Sequence, residues 1–178
     1  MLERHGRIAR TAAVARVVAL AAALLGGGGA LAAAAATFAA YSGKVVNLRE
    51  APPPSMEGAD MLDWVKSNAV TGRAQSSPGE WTLNLFTVFK SKPGMTKIML
   101  LMFDKKDPDS IKKKEPIEAL EIDVRPDVSN FVTSVNVTED MGFNSGHHYI
   151  IRFVAATSKT ERLLSEGEVA LVKEAPKD

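Results

Sequence analysis

The chain predicts an all-β fold, an antiparallel sandwich of about seven strands, on three observations. Apolar residues alternate with polar ones through most of residues 69–173. Turn signals such as Lys92-Pro93-Gly94 and Gly142 separate these runs at short intervals. Amphipathic helical patterns of useful length are nearly absent. The predicted order is an N-terminal apolar segment (1–40), a Pro-rich linker (41–60) and the β-sandwich domain (61–175).

The first 40 residues read differently from the rest. Val17 to Ala40 carries no charge, and Arg4, Arg7, Arg10 and Arg16 precede it. As a helix this run is about 36 Å long, enough for a bilayer core of about 30 Å. Basic residues before it place the N-terminus in the cytoplasm and the remainder outside. Two readings share this geometry. In one, Val17 to Leu25 is a signal-peptide core, Gly26 to Gly29 break the helix, and Ala30-Leu31-Ala32 is the cleavage site. In the other, the run is a retained single-span anchor. Both make the downstream domain periplasmic, membrane-anchored or secreted, with the membrane a partner only if the segment is kept.

Residues 42–60 contain Pro52, Pro53 and Pro54, which favour stiff polyproline II and remove backbone donors, so they read as a spacer. "SMEGADMLDWVKSN" reads as a short helix capped by Ser55 or Asp60, with Met61, Leu62, Trp64 and Val65 on one side. The strands follow. "EWTLNLFTVFK" puts Trp81, Leu83, Leu85 and Phe89 on one face. Ile98 to Phe103 is a continuous apolar run suited to a strand buried on both faces. "DKKDPDSIKKKEP" is a charged loop. "IEALEIDV" aligns Leu120, Ile122 and Val124; "NFVTSVNVTED" aligns Phe131, Val135 and Val137. "HHYIIRFVAAT" aligns Tyr149, Ile151, Phe153 and Ala155, and "GEVALVK" ends the pattern with Val169 and Leu171.

"GFNSGHHYIIRFVA", Gly142 to Ala155, resembles the turn and penultimate strand of fibronectin type III and related immunoglobulin-like domains. The resemblance covers these 14 residues. It implies that Tyr149 is a tyrosine-corner residue, with its ring in the core and its hydroxyl bonded to nearby backbone. The chain departs from immunoglobulin domains in having no cysteine pair, and Trp81 begins its strand rather than ending it. Such sandwiches serve many roles, so the resemblance implies a fold rather than an activity.

Composition narrows the chemistry. The chain has no cysteine, which excludes disulfides, thiolate metal sites and a cysteine nucleophile. Omitting residues 1–40 leaves 22 − 4 = 18 basic and 21 − 1 = 20 acidic residues, so the domain has no general basic character and nucleic acid is not an expected partner. Motifs for hydrolases, zinc proteases and phosphate loops are missing. His147 and His148 are adjacent, and on a strand they point to opposite faces, so they do not share a metal ion. Asp104 to Asp109 has lysines between its carboxylates and no turn glycine, unlike a calcium loop. Lys112 to Lys114, with Lys105 and Lys106, read as a solvated loop partly cancelled by Asp104, Asp107, Asp109 and Glu115. Met95, Met99 and Met102 read as core filling. Asn136-Val137-Thr138 matches a glycosylation pattern but lies inside a strand. A dispersed triad from Ser145, a histidine and Asp140 has nothing to position it. No catalytic, cofactor-binding or metal residue is therefore assigned, and no cofactor is expected. The expectation is an exported, non-catalytic domain that contacts another envelope protein. The alternatives are an envelope enzyme with a dispersed site, or a secreted inhibitor or chaperone-like binder that uses a sheet edge.

Overall fold

The computed structural model describes residues 38–157 and 160–174. Eight strands form one mixed, strongly curled sheet: β1 (Lys44–Leu48), β2 (Gly72–Ala74), β3 (Glu80–Val88), β4 (Lys97–Asp104), β5 (Glu118–Asp123), β6 (Asn130–Thr138), β7 (His147–Ala156) and β8 (Glu161–Val172). Two short helices accompany them, α1 (Gly58–Asn68) and α2 (Pro108–Lys113). The lateral order is β5-β4-β7-β8-β1-β3-β6, with β2 added alongside β8. Among the described residues no helix is long and apolar enough to cross a membrane. Residues 1–37, which hold most of the predicted signal or anchor segment, lie outside the described residues.

One apolar face of the curled sheet is the core. Trp81, Leu83 and Leu85 from β3 and Val135 and Val137 from β6 meet residues of the other half of the sheet. That half supplies Ile98, Leu100 and Met102 from β4, Ile122 from β5, Tyr149, Ile151 and Phe153 from β7, and Leu164, Val169 and Leu171 from β8. The period-two reading of β3, β6 and β7 thus matches the buried set, because these strands present alternate side chains to one interior. A second, smaller cluster lies on the opposite face, where Met61 and Val65 of α1 cover Leu48, Phe86 and Val88. Phe38 joins it, 5.6 Å from the Phe86 ring. Strand β3 is consequently buried on both faces.

Several sequence expectations are corrected here. The sheet is not purely antiparallel: β8 runs parallel to both β1 and β2. The segment 41–60 is not all linker, since Lys44–Leu48 is a strand near the middle of the sheet, paired with β3 throughout its length. The folded domain therefore begins before residue 61, and Phe38 packs into its second cluster. Helix α1 starts at Gly58 after Glu57, with no side-chain cap from Ser55 or Asp60. Strand β4 is not buried on both faces: Met99 and Leu101 are half-exposed, and on that face only Phe103 is buried. The "DKKDPDSIKKKEP" loop contains α2, capped by Asp107, whose carboxylate accepts from the Ser110 N–H at 3.1 Å, with Pro108 opening the helix. Strand β8 begins at Glu161, well before Gly167.

The two halves of the sheet join where β1 meets β8. Lys44 pairs with Glu166, and the Glu166 N–H donates to the Gly43 carbonyl at 3.0 Å. Gly167 is the residue that permits this approach. A Cβ there would overlap the Val45 carbonyl oxygen and lie 2.8 Å from the Val45 Cβ. Glycine is thus required by contact with neighbouring backbone rather than by its own dihedral angles.

Candidate functional site

Two places in the fold have features that a partner or ligand could use. The first is the corner where β4 ends and β7 begins. Asp104 closes β4, and its carboxylate meets the His147 Nδ1 at 2.6 Å, with the two side chains 14% and 25% exposed. The same carboxylate accepts from the Lys106 N–H at 2.8 Å, so it also shapes the turn into α2. Beside it is an open hollow of about 1000 Å³ lined by Asp104, Asp107, Ser110, Lys114, Glu115 and Glu118, among others. His148 turns the other way and meets Glu168 at 2.7 Å, where Lys105 also binds that carboxylate at 2.7 Å. Lys105 and, second, His148 hold the Glu168 carboxyl below its ordinary value. The two imidazoles therefore have separate carboxylate partners, as their alternation along a strand requires.

Tyr149 packs inward from the same corner, its ring 4.9 Å from Phe143. Its hydroxyl accepts from the Asn144 N–H at 2.7 Å, five residues upstream. Burial pushes the phenol above its usual value. The hydroxyl thus satisfies turn backbone as the sequence suggests. Tyr149→Phe is expected to lose about 1–3 kcal/mol in chemical denaturation, because the Asn144 N–H loses its acceptor. A change below about 0.5 kcal/mol would show that this bond does not hold the turn.

Of the residues weighed for chemistry, His147 meets Asp104, Lys112 lies 3.8 Å from Asp109, and His148 and Lys105 both meet Glu168, which the sequence did not single out. No hydrogen bond joins Ser145 or Asp140 to a histidine among the described residues. Groups of three or more metal-ligating side chains are likewise absent among them. Asn136 is exposed on β6, where its side-chain oxygen accepts from Thr82 at 2.9 Å.

The second place is the edge formed by β6. Among the described residues this nine-residue strand pairs only with β3, along its whole length. The Phe89 N–H donates to the Ser129 carbonyl, and the Glu139 N–H to the Gly79 carbonyl. In this register odd-numbered backbone groups face β3. The N–H and C=O groups of Asn130, Val132, Ser134 and Asn136 point away from it, and no described backbone group bonds them. The strand reads Asn-Phe-Val-Thr-Ser-Val-Asn-Val-Thr, without charge, proline or glycine. The opposite edge, β5, carries Glu118, Glu121 and Asp123 in six residues and no basic residue. Acidic side chains of this kind blunt an edge against another strand. Among the described residues β6 has no comparable charge.

No family model, curated protein or solved structure matches this chain.

Proposed function

We propose that this chain is an exported, non-catalytic domain of a cell envelope, an immunoglobulin-like sandwich that acts by contact with another protein through the β6 edge. The observation that carries the reading is the long, uncharged edge of β6, unpaired among the described residues, in contrast to the acidic β5 at the opposite edge. An edge of this kind offers main-chain donors and acceptors in register for an added strand. Export is supported by the arginine-flanked apolar segment, and the sandwich form by the Tyr149 turn and the interior filled from both halves of the sheet.

The reading without catalysis also rests on what occupies the β4–β7 corner. Asp104 is engaged by His147 and by the Lys106 backbone, and Asp107 caps α2. These carboxylates hold local structure. Among the described residues no hydroxyl is bonded to His147 in the way that a nucleophile is bonded to its base.

A photo-cross-linking amino acid placed at Asn136 on β6, or at Glu121 on β5, tests the edge in the native membrane fraction. Protein adducts are expected from position 136 and not from position 121. Adducts absent from 136, or equal from both positions, would overturn the reading.

A further inference from the structure

We infer that the partner strand at β6 is the β6 strand of a second copy of this chain, which makes the protein a two-fold dimer through a continuous sheet. The inference rests on the reading of β6 as the contact edge and adds the identity of the occupant.

The argument is one of register. The outward-facing backbone groups belong to even-numbered residues, so an added antiparallel strand must place a hydrogen-bonding residue opposite each of them. A two-fold axis at Ser134 does this for two identical strands and overlaps all of β6. Ser134 then faces Ser134 of the second copy, and Val132 faces Asn136. Along the core side Phe131 lies opposite Val137 and Thr133 opposite Val135, all four already buried within their own copy. A slip by one residue would place outward groups opposite inward ones, so the register is confined to pairs of even-numbered residues.

Charge supports the same occupant. Strand β6 contains no charged residue, so two copies meet without like-charge repulsion. Two β5 edges would bring Glu118, Glu121 and Asp123 against their own copies. The overlap is about 30 Å long. It makes about six central main-chain hydrogen bonds. At about one bond per 100–200 Å² they belong to an interface of roughly 600–1,200 Å². That is the size of a reversible dimer rather than an obligate one.

The test is charge exchange at the axis. Ser134 is half-exposed, and its hydroxyl bonds Asn84 at 2.8 Å. Ser134→Lys and Ser134→Glu each place like charges face to face across the two-fold. In sedimentation equilibrium, the full-length wild-type chain is expected to dimerise, and each variant alone to dimerise at least roughly tenfold more weakly. An equimolar mixture of the two variants should recover dimer, an outcome that damage to the fold cannot produce. A wild-type chain that stays monomeric, or variants that dimerise as wild type does, would overturn the inference. A variant pair that fails to recover dimer on mixing would overturn this axis. If wild type is monomeric while position 136 still cross-links to a different protein, the edge reading stands and only the second copy is ruled out.

Discussion

Gly167→Val is expected to abolish cooperative folding, and Gly167→Ala to lose about 3 kcal/mol or more. The added carbon has no space: it would overlap the Val45 carbonyl oxygen and lie 2.9 Å from the Val45 carbonyl carbon. Backbone cannot rotate away as a flexible side chain can, so β1 must withdraw from β8. That withdrawal strains the Lys44–Glu166 pairing and the Glu166–Gly43 hydrogen bond that join the two halves of the sheet. Overpacking alone costs about 1–3 kcal/mol, and separating the strands adds to it. Gly72→Ala is the control, since a Cβ there meets nothing closer than 3.8 Å. Urea unfolding monitored by the two tryptophans, Trp64 and Trp81, reads the difference. A Gly167→Ala variant within about 0.5 kcal/mol of wild type would mean that the close approach does not exist.

The second large effect is expected at Phe153, where truncation to Ala should cost about 3–5 kcal/mol. The side chain is fully buried at the centre of the main cluster. It meets Phe89 edge-on at 6.0 Å and Phe131 at 6.4 Å between ring centres. These three rings come from the end of β3 and from β6 and β7, so their loss opens a cavity between the two halves of the sheet. Edge-to-face pairs add to the area term. Phe153→Leu keeps part of the volume and should recover part of the loss. Equal stability of the Ala variant and wild type would place Phe153 outside the core.

Strands β6 and β7 were legible in the sequence because each keeps period-two alternation that matches its buried face; β3 was legible on its core face, while Phe86 and Val88, buried on the other, break its alternation. Strand β1 was hidden for a physical reason. Val45 faces the main interior while Leu48 lies under α1, so the buried residues of this five-residue strand, Val45, Asn47 and Leu48, show no alternation. Neighbouring Pro52 to Pro54 then gave the segment the look of a spacer. Strand β4 misled in the opposite direction, since Met99 and Leu101 are apolar without being buried. At the corner, the separation of His147 from His148 followed from strand geometry alone. Their carboxylate partners did not, because Asp104 and Glu168 are 43 and 20 residues away in the chain. The charge-free stretch of β6 was readable as composition. Its place at an edge depends on strand order, which local pattern does not carry.

The β1–β8 junction also determines when the domain can fold. Lys44 must find Glu166, a separation of 166 − 44 = 122 residues. Until β8 has been made, β1 lacks its parallel neighbour, β2 has no partner strand and β7 has a bare side. Synthesis therefore delivers the joining strand last, and the sheet cannot close from the N-terminus onward as the ribosome works. Non-local pairing of this kind also slows folding to milliseconds or seconds. A chain of this order keeps its main interior open until β8 has emerged, so its core forms in one late step rather than strand by strand.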